Sequence, residues 1–179
     1  MKYKELIMNK DEYEYTIKRL ANEIVECNKG IHNLCIIGIA RRGVNIANDI
    51  CKIISMNYAN VQQGKLDITF YKDDLTKIDD NPVLNSIDIG CDINDKNIVL
   101  VDDVLYTGET LHIALDTLLK IGKPKCIKFC ALIDRGHHTL PYFAEHIGRF
   151  VQTKDNEVIK VKCLELDGHN CTELHEIIS

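Results

Sequence analysis

Two adjacent carboxylates, Asp102 and Asp103, close an apolar run, Ile98–Val101, and lead through Thr107, Gly108 and Thr110 into a helix-like pattern. A buried strand that carries acids to its carboxyl end and then turns through T-G-E-T into a helix suits a sugar phosphate. Backbone N–H groups at the helix start and the Thr hydroxyls can hold the phosphate, and Gly108 lets the backbone approach it. The aspartates would repel a phosphate at contact distance, so they suit sugar hydroxyls, a divalent cation, or both. A second strand end, GIARRG at Gly38–Gly43, carries Arg41, Arg42 and Gly43. Taken alone it fits either a pyrophosphate contact or two solvated arginines. A third, IDRGHH at Ile133–His138, offers Asp134, Arg135 and Gly136 to shape a base pocket. His137 and His138 have no metal-ligand partner at useful spacing. A nucleotide triphosphatase would need G-x-x-x-x-G-K-[ST], and the nearest match, GIARRG, continues Val44-Asn45, which removes that reading.

The elements that must position these turns follow from periodicity. Asn9 with Glu12 opens a helix in capping-box fashion, Tyr13, Ile17, Leu20, Ala21, Ile24 and Val25 supply its apolar stripe, and Gly30 can close it. Leu34–Ile39 reads as a buried strand, Val44–Ile54 as a helix, Leu66–Tyr71 as an alternating strand, and Asn97–Val101 as the central strand. Glu109–Ile121 is helical, stopped by Gly122 and Pro124. Cys126–Asp134 is another buried strand, and Val158–Leu164 alternates as the last one. The polar stretch 72–95 is long enough to predict a lid. Strands alternating with helices predict an α/β fold with a doubly wound, mainly parallel sheet, which binds ligands at the carboxyl ends of its strands.

A length of 179 residues predicts one domain, 1–179. The formal charge of −5 argues against a generally basic nucleic-acid binder but leaves room for a local basic face. No run approaches the ~20 apolar residues of a membrane span, and the first residues do not read as a signal peptide, so a cytoplasmic protein is expected. The eight cysteines show no C-x-x-C and no zinc spacing, and read as reduced, mostly buried thiols.

IVLVDDVLYTGETL resembles the phosphoribosyl pyrophosphate motif of type I phosphoribosyltransferases. DITFYKDDL, VDDVLYTGET and IDRGHHTLP, in this order and spacing, resemble the branch of bacterial pyrimidine-operon attenuators with uracil phosphoribosyltransferase activity. The resemblance runs from Asn28–Gly30 through the DRGH segment and beyond. It implies a phosphoribosyltransferase fold with a small hood and a mobile loop, and conversion of uracil and phosphoribosyl pyrophosphate to UMP and pyrophosphate. Mg²⁺ would come with the substrate and not through direct protein ligands. Arg42, Asp102 and Asp103 would be the catalytic set. Arg41, Arg42 and Gly43 would meet the pyrophosphate, with Arg41 where the family usually has Thr. Asp102 and Asp103 would hold the ribose. Val104, Leu105, Tyr106, Thr107, Gly108, Glu109 and Thr110 would wrap the 5′-phosphate. Ile133, Asp134, Arg135 and Val158 would line the uracil side. Tyr71, Lys72, Asp73 and Asp74 would sit in the mobile loop, with Lys72 replacing the usual Arg. No covalent nucleophile is required, and Asp103 is a general-base candidate by position alone.

The same resemblance implies UMP-promoted binding of pyrimidine-operon leader RNA, transcription attenuation, and a homo-oligomer. Its RNA-binding positions are Lys18, Arg19, Asn22, His138 and Arg149. Only Arg19 matches outright. Lys18 stands for Thr, Asn22 for His, His138 and Phe143 for arginines, and Arg149 for Lys. Fewer phosphate contacts weaken binding and flatten its salt dependence. An enzyme without RNA binding and a non-catalytic nucleotide sensor therefore stay open, as does a purine base as acceptor.

Overall fold

The computed structural model describes residues 1–68 and 89–178. Among the described residues eight strands and four helices follow in chain order: β1 (Lys2–Met8), α1 (Lys10–Cys27), β2 (Leu34–Ile39), α2 (Ala40–Asn57), β3 (Gln62–Leu66), β4 (Asn97–Leu105), α3 (Glu109–Ile121), β5 (Cys126–Asp134), β6 (His146–Phe150), β7 (Glu157–Lys162), α4 (Leu164–Asp167) and β8 (Cys171–Glu176). Five of the strands form one sheet in the order β3-β2-β4-β5-β6, with every neighbouring pair parallel. All six residues of β2 are buried, as a parallel strand covered on both faces requires.

Apolar residues pack in two layers around this sheet. On one face Ile17, Leu20 and Ile24 of α1 and Ile46, Ile50 and Ile54 of α2 meet Val99, Val101 and Leu132. On the other, Leu111, Ala114 and Leu118 of α3 meet Ile98, Leu100 and Ala131. Along Ile98–Val101 the odd-numbered residues pack on the α2 side and the even-numbered ones on the α3 side, an alternation that reverses by Val104 and Leu105. Two glycines allow α2 to lie tight on the sheet. A Cβ on Gly43 would come within 2.4 Å of the Val101 carbonyl oxygen, and one on Gly38 within 2.4 Å of the Val44 Cα.

A second sheet, β1-β8-β7, is antiparallel and forms the hood. Ile159, Val161 and Leu174 turn its inner face into the core shared with α1 and α2. Lys4 pairs with Glu157, and this ammonium, with the Lys154 N–H, holds the Glu157 carboxyl below its usual range.

Several expected boundaries move. The strand expected at Leu66–Tyr71 lies at Gln62–Leu66, because β3 pairs residue by residue with β2 from Cys35↔Gln62 to Ile39↔Leu66 and the ladder ends where β2 ends. Asp67 and Ile68 follow it outside the strand, and 69–71 lie outside the described residues. The helix expected at Val44–Ile54 begins at Ala40, so Arg41, Arg42 and Gly43 belong to its first turn and not to a loop. The central strand runs on to Leu105, so both aspartates are strand residues. The strand expected to be last is followed by β8, and both pairings among the three hood strands are antiparallel. The expected lid falls outside the described residues as far as 88. Beyond it Ile89 and Ile93 are buried, and the Ile89 carbonyl accepts from the Lys65 N–H at 3.0 Å. Among the described residues no helix is long and apolar enough to cross a membrane.

Candidate active site

Chain order and sheet order together locate a crevice. From β2 the chain passes through α2 to β3 on one side, whereas β4 pairs with β2 on the other. Between the carboxyl ends of β2 and β4 lies the switch point at which open α/β sheets bind ligands. Two helices begin there, and neither is capped by a side chain. The N-cap of α2 is Ile39. That of α3 is Gly108, in the left-handed region at φ 91°. The first-turn N–H groups of α2 are therefore available to an anion, as are those of α3 apart from Glu109, whose N–H makes a long 3.4 Å bond to Thr107 Oγ1. Ala40, between β2 and the arginines, is also left-handed at φ 49°, a conformation costly for a residue with a Cβ.

The paired aspartates line different hollows. Asp103 faces the α2 side, where it lines a cleft of about 430 Å³ with Arg42, Ile159, Lys160, Val161, Lys162 and Asp167. Asp102 is buried and lines a hollow of about 190 Å³ with Val104–Leu111 and Phe129. Each carboxylate also accepts the next N–H along the chain: Asp102 Oδ1 from Asp103 at 2.9 Å, Asp103 Oδ1 from Val104 at 3.0 Å. The turn after β4 is held from outside, since Thr139 and Leu140 donate their N–H groups to the Thr107 carbonyl at 3.1 and 3.0 Å. A Cβ on Gly108 would meet Leu140 Cβ at 3.3 Å. Gly108 thus meets two demands, a positive φ and a close wall.

Arg42 donates from Nε to the Val161 carbonyl at 2.6 Å and lies 3.5 Å from both Asp167 carboxylate oxygens. It braces the hood against the sheet while its head stays in the cleft. Arg41 is exposed. Cys163, beside the same cleft, has its thiol pushed up to about 11 by burial, with the Asp103 charge adding to the rise. It stays protonated at neutral pH and is no nucleophile.

The third turn is more tightly built than its sequence implies. Arg135 is buried, donates to Thr153 Oγ1 at 2.9 Å and to the Glu157 carbonyl at 2.7 Å, and lies 4.0 Å from the Tyr106 ring centroid. Asp134 accepts from the Gly136 N–H and meets His138 Nε2, both at 2.9 Å. The Ile133 side chain is fully buried, whereas Val158 on β7 is half-buried. Tyr71, Lys72, Asp73 and Asp74 lie outside the described residues.

The residues expected to contact RNA fall on α1, β6 and the turn after β5. Lys18 and Asn22 are exposed. Arg19 donates to the carbonyls of Ile147 and Gly148 at 2.9 and 2.6 Å and pairs with Glu23. Arg149 bonds the Ile7 carbonyl and pairs with Glu12 at 3.2 Å. Phe143 is 73% exposed with its ring edge-on to His138.

Sequence reasoning missed Asp167, Lys160 and Lys162. Asp167 lies in a four-residue helix too short to leave a periodic signal, and its one trace is the Asp-Gly turn at Asp167–Gly168. Among the described residues one trio has converging metal-ligating atoms, His169, Cys171 and Glu173, but Lys162 Nζ already occupies a Glu173 oxygen at 2.7 Å.

Residues 7–163 match the model of the phosphoribosyl transferase domain. The chain is 46% identical over 172 residues to the bifunctional protein PyrR of Acetivibrio thermocellus, covering 96% of this chain and 94% of that one. It is 45% identical over 177 residues to the PyrR protein of Thermus aquaticus, covering 98% of each. In fold it is similar to a hypoxanthine-guanine phosphoribosyltransferase of Bacillus anthracis, with a TM-score of 0.72 at 23% identity over 99% of this chain and 100% of that one. By these likenesses and by its fold, the chain belongs to the phosphoribosyltransferases and, among them, to the PyrR family of bifunctional proteins.

Proposed function

We propose that the crevice between β2 and β4 transfers the phosphoribosyl group of phosphoribosyl pyrophosphate to uracil, releasing UMP and pyrophosphate. The observation that carries this reading is the meeting of two uncapped helix starts at the switch point, with Asp103 and Arg42 sharing the cleft beside them. The start of α3 and Thr107–Thr110 take the 5′-phosphate. Asp103 holds a ribose hydroxyl on the α2 side. The start of α2, with Arg41 and Arg42, takes the pyrophosphate. At 3.5 Å the Asp167 contact to Arg42 is long, so a pyrophosphate oxygen can replace it.

Displacement at the anomeric carbon leaves positive charge on the sugar and negative charge on the leaving group. What this chain supplies is alignment and fixed dipoles aimed at those charges. The cleft's own donors for a cation are the carboxylate oxygens of Asp103 and Asp167, a set that fits Mg²⁺ arriving on its substrate and keeping phosphate and water ligands. When bound, Mg²⁺ neutralises the departing pyrophosphate. On the uracil side, Arg135 and Asp134 act through the backbone they hold, because their side chains are engaged internally.

UMP-dependent binding of leader RNA is the second activity. Exposed Phe143, next to His138, offers a stacking surface to an unpaired base, and Lys18 and Asn22 line the exposed side of α1. Uracil turnover, with hypoxanthine as the competing acceptor, and a gel shift on a pyrimidine-operon leader test both activities together. Formation of UMP and a shift that tightens with UMP and weakens with salt are expected. Turnover without a shift leaves the enzyme alone. A shift without turnover leaves a nucleotide sensor. Preference for hypoxanthine overturns the choice of base.

A further inference from the structure

Cys35 and Cys91 lie 56 residues apart in sequence, yet their sulfurs are 3.0 Å apart. Cys35 opens the central part of β2 and is fully buried. Cys91 is half-buried, in the stretch Ile89–Ile93 that packs on the α3 side of the sheet. The contact depends on Gly64. This glycine sits on β3, level with Ile37 and one pleat along from the Cys35 pair. A Cβ there would lie 2.8 Å from Cys91 Sγ and 2.6 Å from Ile89 Cγ2. The missing side chain leaves the gap through which Cys91 reaches β2. The Lys65–Ile89 backbone bond fixes the same stretch from its other end.

We propose that Cys35 and Cys91 form a reversible disulfide when the protein meets a hydroperoxide, with Cys91 as the attacking thiol and Cys35 as the resolving one. The Cys91 thiolate attacks the peroxide oxygen, the O–O bond breaks, and the alcohol or water leaves with a proton. Cys91 is then a sulfenic acid. The Cys35 sulfur displaces its hydroxyl as water and closes the S–S bond. Two thiols are oxidised and one hydroperoxide is reduced. The roles follow from access and chemistry. Cys91 is the half-buried member of the pair, whereas Cys35 is fully buried. A hydrogen bond from Cys35 lowers the pKa of Cys91, whereas that same contact, together with burial, raises the pKa of Cys35. The other buried thiols, Cys51, Cys130, Cys163 and Cys171, are all raised by burial, Cys51 and Cys130 to about 12, and no hydrogen bond joins any of them to another sulfur among the described residues.

The test treats the full-length protein with hydrogen peroxide and maps cysteine peptides by mass spectrometry. A Cys35–Cys91 cross-linked peptide, two hydrogens lighter and restored by dithiothreitol, is expected before modification of exposed Cys27 or Cys126. Cys91→Ser should abolish the cross-link and leave Cys35 unmodified. Cys35→Ser, which keeps a hydrogen-bond donor beside Cys91 but cannot form a disulfide, should leave Cys91 as a sulfenic acid that dimedone traps. Oxidation of Cys27 or Cys126 ahead of any cross-link would overturn the proposal, as would the absence of dimedone labelling at Cys91 in folded Cys35→Ser.

Discussion

Helix α1 and helices α2 and α3 begin in opposite ways. At α1 the Asn9 side chain accepts the Glu12 N–H at 2.9 Å, and the Glu12 carboxylate accepts the Asn9 N–H at 2.8 Å. That start is closed, and α1 offers no helix end to an anion. At α2 and α3 the residues in the capping position are Ile39 and Gly108, with no side-chain cap. These starts are open, and both lie where the sheet divides. Relative to a capped start, Ile39 forgoes about 1 kcal/mol of stability and Gly108 about a few tenths. The molecule accepts that cost at the two places where an anion can restore it. Capping chemistry therefore separates the scaffold helix from the two binding helices before any ligand is considered.

Four substitutions sharpen or break this contrast, and the largest effect is expected at the acid beside the open starts. Asp103→Asn should lower UMP formation by roughly 100- to 1,000-fold, the scale of losing one charged contact to the reacting sugar, with an unchanged melting curve. Turnover like that of the wild type would remove Asp103 from the ribose. Gly43→Ala drives a methyl group against the Val101 carbonyl and should cost about 1–3 kcal/mol in urea unfolding, with turnover falling as the start of α2 moves off the sheet. Gly108→Ala places a Cβ at φ 91°. It should cost about 1–2 kcal/mol and weaken ribose 5-phosphate binding measured by calorimetry. Asn9→Ala opens the closed start and should cost about 1 kcal/mol in thermal unfolding while leaving turnover intact. A loss of activity in Asn9→Ala as large as in Gly108→Ala would erase the distinction.

Much of this arrangement is legible in the chain. The α1 cap, the buried strands and the DD-x-x-x-T-G-x-T turn are local patterns, and each lies close to where its residues predict. What escaped is non-local. Arg41 and Arg42 break the apolar period, so the first turn of α2 leaves no trace in sequence. It forms because Gly43 lets it rest on β4. Strand β1 is exposed along most of its length and is defined by its pairing with β8, a partner more than 160 residues away. The separation of Asp102 from Asp103 depends on how far β4 runs, which the ladder to β5, as far as Leu105↔Asp134, decides. The engagement of Arg135 with the hood depends on Glu157 being brought beside it.

The most direct test of the open-start account follows backbone amides in a nitrogen-15 correlation spectrum as ribose 5-phosphate is added. Shifts concentrated at Gly108, Glu109, Thr110 and Leu111, with those of Asp11, Glu12 and Tyr13 unmoved, are the predicted result. Amides at the start of α3 that stay in place at saturating ligand, or shifts centred on the start of α1, would contradict it.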